Sequence, residues 1–401
     1  MNAQAIHRLP EPGPEERAHS ERLAIHLREE IAAHGPMPFS RFMERCLYAP
    51  GLGYYSAGMP KFGKAGDFVT APELGDLFAQ CVAVTFSPVI KALGAQADIL
   101  ELGGGSGAFA EAALVALEAA GTPPRRYLIL EPSADLRERQ GERLRAALPK
   151  VLFERVAWLD RPPEAAWRGV LFANEVIDAL PATRFTLHQG EVLEEYVVTS
   201  DDGRFARTDR PTDTLVSGAV RHLERHLEQP FADGYRSELL PQLPYWMQAV
   251  AGSLEAGLML FIDYGYARHE YYRPGREDGT LRAFYRQRVH ADVLRQPGLQ
   301  DLTASVDFTA LAEAGQHAGF DLAAYLPQAQ FLMASGLQDA FEHAHASAAD
   351  EAARYALAQQ VKHLTLPGEM GERFQVMLMT RGLDAQVLPQ DVLLADRSQR
   401  L

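Results

Sequence analysis

The stretch Glu101-Leu102-Gly103-Gly104-Gly105-Ser106-Gly107 constrains the fold more than any other part of the chain. It stands where a continuous apolar run, ADILEL, gives way to the helical pattern of AFAEAALVALEAA. Glycines at such a junction permit positive φ angles and let a ligand approach the backbone, while the helix start offers unpaired N–H groups. The run therefore marks a nucleotide-type site. Its immediate meaning stays open, because Gly103, Gly105 and Ala108 also satisfy the dinucleotide-binding spacing.

The surrounding pattern supplies the scaffold. After the glycine run come a buried strand, YLILEPS at 127–133, and a helix over ADLRERQGERLRAAL with Ser133 as N-cap. A third strand is predicted over 151–159 and a fourth over 169–178. A helix over 244–257 follows, then a strand, LMLFIDYGY, an Arg- and Tyr-rich loop at 266–295 and the helix DFTALAEAGQHAGF. Strand-like segments at 320–326 and 374–380 flank a helical block at 335–365. Alternation of this kind implies a parallel sheet with right-handed crossovers, here closed by a late pair of strands. It is interrupted at 182–242, where EVLEEYVVTSDDGRFARTD reads as a hairpin turning at Asp202-Gly203 and TLVSGAVRHLERHLEQ reads as a helix.

Composition excludes several classes. With 39 Lys plus Arg against 53 Asp plus Glu, the net charge is −14, which leaves no general electrostatic footprint for nucleic acid. No unbroken apolar run approaches the length of a membrane span. Two cysteines, Cys46 and Cys81, without metal-ligand spacing speak against a disulfide framework or a metal site. The first twenty residues lack the features of a secretory signal or transit peptide, so a cytoplasmic protein is expected.

Candidate site residues gather at strand ends. Glu131 closes the second strand, where a carboxylate can accept hydrogen bonds from ribose hydroxyls, a role common to dinucleotide and S-adenosylmethionine sites. Glu101, an acid opening the glycine run, and the closing strand pair favour the methyl donor. Trp158, near the end of the third strand, is a candidate wall for an adenine ring. Asn174, Glu175 and Asp178 fall at the carboxyl edge of the sheet, the side that faces the ligand crevice. Carboxylates without a basic neighbour suit a cationic acceptor such as a guanidinium. Asp263 and Tyr264 are placed to line the acceptor side, and Arg282, Arg286, Arg288 and His290 form a basic stretch read as a solvated face.

Several longer motifs sharpen this reading: GDFVTAPELG (66–75), ELGGGSGAFA (101–110), LEPSADLRERQ (130–140), ANEVIDALP (173–181), IDYGY (262–266), GTLRAFYRQRVH (279–290), DLTASVDFTAL (301–311) and LPGEMGERFQVML (366–378). In these motifs the chain resembles the MidA-like class I S-adenosylmethionine-dependent methyltransferases. That family includes a mitochondrial complex I assembly factor described as a protein arginine methyltransferase. The resemblance implies an α/β, Rossmann-like seven-stranded sheet with an N-terminal helical and lid segment and two insertions. It implies S-adenosyl-L-methionine as cofactor, held by Gly103, Gly104, Gly105, Gly107 and the Glu131-Pro132-Ser133 turn. It also makes Asp67, Phe68, Thr70, Pro72 and Glu73 a lid beside that cofactor. The chain departs from the family in having Gly104 where alanine is common, and Leu77-Phe78-Ala79-Gln80 where Phe-Gly-Glu is common, so a carboxylate role at position 80 falls away.

The expected division is N-terminal helices and lid loop (1–95), a cofactor-binding half (96–181), an insertion (182–242), the second half of the core (243–334), a helical insertion (335–365) and a closing strand and tail (366–401). The function read from this is methyl transfer to a nitrogen of a protein side chain, with arginine favoured and a respiratory complex subunit as one candidate substrate. Two alternatives remain at this point: an assembly factor acting mainly as an interaction module, and a nicotinamide-linked oxidoreductase.

Overall fold

The computed structural model describes residues 9–57 and 70–401. The chain forms two compact units, each assembled from three separate stretches: 1–69, 179–240 and 274–304 in one, and 70–178, 241–273 and 305–401 in the other. Asp67 and Phe68 of the expected lid lie outside the described residues.

The larger unit carries the sheet. Its strands are β1 (Asp98–Leu102), β2 (Tyr127–Leu130), β3 (Val156–Leu159), β4 (Trp167–Asn174), β5 (Leu254–Tyr266), β6 (Asp321–Pro327) and β7 (Phe374–Arg381), in the spatial order β6-β7-β5-β4-β1-β2-β3. The first five run parallel, and β7 is antiparallel to both β5 and β6. These seven strands form the Rossmann-like sheet expected from the sequence, and a two-residue strand, Val306–Asp307, adds in parallel to the end of β5. Every residue of β1 is buried, as are residues 169–173 of β4, because helices cover both faces.

Helices α1 (Leu77–Leu93), α2 (Ala108–Ala119) and α3 (Ala134–Ala147) pack against this half of the sheet. Phe109 of α2 stacks on Phe172 of β4 with ring centroids 4.1 Å apart, and Phe86 of α1 meets Phe172 edge-on at 5.7 Å. All three rings are buried, and each contributes about 1.5–3 kcal/mol of burial free energy. The cluster fixes the helix that follows the glycine run against the strand bearing Asn174. By length and composition alone the window Leu77–Gln96 is apolar enough to cross a bilayer, but more than half of it is buried inside the protein, as in a core helix.

Three boundaries differ from expectation. The segment 151–155 is not strand: a short helix, Lys150–Phe153, follows Pro149, and β3 starts at Val156. Pro149 presets the backbone for a helical turn, and β3 is a half-exposed edge strand whose burial does not reward extension. The helix predicted over 244–257 runs Leu243–Ala251 and yields to β5 at Leu254. Finally, β4 ends at Asn174, and the residues up to Asp178 form a turn.

The smaller unit contains helices Pro14–His34 and Phe39–Tyr48, as predicted. The hairpin Glu191–Thr199 with Phe205–Pro211 and the helix Thr214–Arg225 also form as read from sequence. Part of the supposed loop at 266–295 is instead ordered: Arg282–Tyr285 and Arg288–His290 pair as a hairpin, joined by Asp301–Thr303. Arg286 in that hairpin pairs with Glu16 at 2.7 Å. In this unit the buried Arg184 lies between Glu195 (3.3 Å), Glu238 (3.6 Å) and Asp278.

Candidate active site

The glycine run leaves β1 and enters α2 with Gly103, Gly105 and Gly107 at φ angles of +64°, +53° and +83°. Only glycine adopts these three conformations without strain. Gly103 is exposed, Gly104 is buried, and a Cβ on Gly103 would stand 3.1 Å from the Val176 side chain. Gly107 caps α2 with no side chain of its own, and of the first-turn N–H groups that of Ala108 donates to the Ser106 hydroxyl at 3.3 Å. Beside the run, the Ser106 hydroxyl donates to Glu73. Glu73 closes the turn Ala71–Glu73, which contains Pro72 and follows Thr70. Through Glu73 the described end of the segment expected to act as a lid is joined to the glycine run.

Glu101 lies beneath the run and is 3% exposed. Its carboxylate accepts from the Tyr127 hydroxyl at 2.9 Å. Burial, reinforced by the nearby charge of Glu131 and opposed by the Tyr127 hydrogen bond, pushes its pKa up to about 8.

Glu131 follows β2 directly and is also buried. One carboxylate oxygen accepts from the Ser133 backbone N–H at 3.0 Å, and the other from the Gln140 amide at 3.3 Å. Ser133 caps α3 through its side chain, as expected, accepting from the Leu136 N–H, and Pro132 is exposed between them. Trp158 is half-buried in β3 and donates its indole N–H to Gln140 Oε1 at 2.8 Å. Gln140 was not singled out from sequence. The one available signal was its helical spacing from Ser133 and Leu136, which puts it on the face of α3 turned toward Glu131.

A second group forms at the carboxyl ends of β4 and β5. Asn174, the last residue of β4, donates from Nδ2 to Glu175 at 3.1 Å, while its Oδ1 is buried and accepts no hydrogen bond from the described residues. Glu175 holds a left-handed φ of +54°, a conformation costing on the order of 1 kcal/mol for a non-glycine residue. Strain of this kind persists where surrounding contacts enforce it. Here the enforcing contacts include Glu175 N–H to the Ile262 carbonyl at 2.9 Å, and the N–H groups of Ile177 and Asp178 to Asp263 Oδ2 at 3.0 and 3.2 Å.

Asp263 was expected to line the acceptor side. It is instead 1% exposed, and its carboxylate also accepts from the Tyr264 N–H, so it anchors the turn after β4 to β5. Burial, together with the charges of Asp178 and Glu175, holds its pKa well above the ordinary value. Asp178 accepts from the Tyr264 hydroxyl. Asn174, Glu175 and Asp178, predicted together, are thus brought together, and the structure adds Asp263 and Tyr264 as their support.

These features suit an adenosyl cofactor: a glycine cradle that a side chain would fill, a buried carboxylate at the next strand end, and at the end of β4 a polar atom without a partner among the described residues. Fold and site together define a class I S-adenosylmethionine-dependent methyltransferase. The Methyltransf_28 family of S-adenosyl-L-methionine-dependent methyltransferases matches residues 81–326, more than half of the chain, and the protein belongs to that family.

A crystal structure from Burkholderia thailandensis, with S-adenosyl-homocysteine bound, is 41% identical, with a TM-score of 0.89 over 98% of this chain and 100% of that one. A second structure from the same organism, also 41% identical, has a TM-score of 0.86. Among curated proteins, the human protein arginine methyltransferase NDUFAF7, mitochondrial, is 28% identical across 94% of this chain and 85% of its own length. The Drosophila melanogaster homologue is 27% identical across 90% of this chain and 85% of its own length. The family match does not favour the interaction-module and nicotinamide readings. The expectation of a cytoplasmic protein is corrected by these relatives, which are mitochondrial proteins.

Proposed function

We propose that this methyltransferase acts on a nitrogen of a protein side chain, with arginine as the acceptor residue and a respiratory complex subunit as the substrate protein. The observation that carries the reading is the carboxylate group at the ends of β4 and β5. Glu175 accepts from Asn174 Nδ2 at 3.1 Å, Glu175 and Asp178 both act on the buried Asp263, and Asn174 Oδ1 is an acceptor that no described donor satisfies. A guanidinium carries five N–H donors and stays charged at any physiological pH, so it matches a site rich in acceptors and negative charge. The naming of the curated relatives as protein arginine methyltransferases supports the same choice.

In this reading Gly103, Gly104, Gly105 and Gly107 give the cofactor backbone contacts, Glu131 accepts from its ribose hydroxyls, and Trp158 flanks the adenine. Pro132 and Ser133 shape the turn that presents Glu131. Thr70 and Pro72 cover the site from the lid side, and Glu101 supports the glycine run from below. S-adenosylmethionine supplies an activated methyl group on a sulfonium sulfur. Asn174 orients the acceptor nitrogen, and Glu175 and Asp178 hold the guanidinium charge and take up the proton it releases. Alignment of this kind accounts for most of what such a displacement needs.

The test is transfer of labelled methyl groups from S-adenosylmethionine into a lysate lacking the protein, with mass-spectrometric mapping of the product. Methylarginine in a respiratory complex subunit supports the reading. Label confined to lysine, to a carboxylate or to a small molecule refutes the arginine assignment.

A further inference from the structure

We propose that Gln140 is a positioning residue for the cofactor, fixing the Glu131 carboxylate to the glycine run and to Trp158 through a single side-chain amide. The inference deepens the proposed cofactor site and rests on the reading that Glu131 receives the ribose hydroxyls.

Gln140 lies on α3 and is 0% exposed. The Trp158 indole N–H can only donate, and it reaches Gln140 Oε1 at 2.8 Å. That contact fixes which end of the amide is oxygen. The opposite end, Nε2, then presents two N–H groups, and it lies 2.9 Å from the Gly105 carbonyl and 3.3 Å from Glu131 Oε2. One planar group therefore links the glycine run, the end of β2 and β3. With Ser133 N–H on Oε1 and Gln140 on Oε2, the carboxylate of Glu131 is held from both ends, so its rotation is set before any ligand arrives. Preorganisation of this sort raises affinity by removing the cost of ordering the acceptor on binding.

The burial of Gln140 explains why a glutamine serves. An apolar residue would leave the Glu131 oxygen and the Gly105 carbonyl without their buried donor, and a glutamate would set a second carboxylate against Glu131.

Binding of S-adenosylhomocysteine and of its 2′-deoxyribose analogue to wild type, Gln140→Leu and Gln140→Glu, measured by calorimetry, tests the inference. The expected result is an affinity for S-adenosylhomocysteine about tenfold or more weaker in both variants, the size of one lost hydrogen bond to a charged group. The penalty for removing the 2′-hydroxyl should also shrink in the variants. A purely structural loss would weaken both ligands equally and leave that penalty at its wild-type value. In Gln140→Glu, affinity should recover as pH is lowered and the new carboxyl regains a proton to donate. Should Gln140→Leu fail to fold, the isosteric Gln140→Glu decides alone. Wild-type affinity in the variants, or an unchanged 2′-hydroxyl penalty, overturns the role of Gln140. Absence of any 2′-hydroxyl penalty in wild type overturns the ribose role of Glu131, and the inference with it.

Discussion

The Tyr264 hydroxyl donates to Asp178 Oδ2 at 2.8 Å, so the end of β5 holds a carboxylate belonging to the turn after β4. The same turn is fixed through its backbone by Asp263, so hydroxyl and carboxylate act on it together.

Tyr264→Phe keeps the ring and removes the donor. The expected outcome is a methyl-transfer rate at saturating cofactor lower by about tenfold, as for the loss of one hydrogen bond to a charged group. Calorimetry should show S-adenosylhomocysteine affinity unchanged.

Glu101 makes stability depend on pH. Its carboxyl keeps its proton in the folded protein up to about 8, whereas the ordinary value is 4.5. Between these limits the native state binds more protons than the unfolded chain, so stability falls as pH rises through the window. Glu101→Gln should flatten that part of the curve, most visibly at the alkaline end. Urea denaturation at a series of pH values checks it.

Gly103→Val should abolish S-adenosylhomocysteine binding while the protein stays folded. A branched residue at φ +64° is strained by roughly 1–2 kcal/mol, and its Cβ would stand 3.1 Å from Val176. Circular dichroism with calorimetry separates loss of binding from loss of fold.

Arg184→Met leaves Glu195 and Glu238 buried without the guanidinium between them. Breaking a buried ion network in this way costs about 3–5 kcal/mol. Glu195 keeps Arg236 at 2.6 Å, which points to the lower end. The shift in the urea midpoint at constant slope gives the value.

The central strands of the sheet were legible because they are buried on both faces, so each reads as an apolar run ending at a polar residue, whereas the half-exposed edge strand β3 was misplaced at its start. Residues whose chemistry shows at such an end, Glu131 and Asn174 above all, could be found by position alone. Asp263 was found but given the wrong task, since a carboxylate at a strand end looks the same whether it faces a ligand or accepts three backbone N–H groups. Gln140 was missed because its partners lie 9, 18 and 35 residues away on separate elements, beyond any local periodicity. The hairpin at Arg282–Tyr285 and Arg288–His290 was read as loop for a related reason. Its alternation is short and broken by charge, and part of its pairing comes from Asp301–Thr303.

The position of β7 has a consequence during synthesis. This strand lies between β5 and β6 but is made after both, at residues 374–381. Until it emerges from the ribosome, the apolar β5 presents one open backbone edge, and β6 has no neighbour on its inner side. An unpaired edge of that kind recruits other strands. The nascent chain therefore has to be shielded until residues 374–381 are made, and any product cut short before Phe374 will tend to aggregate.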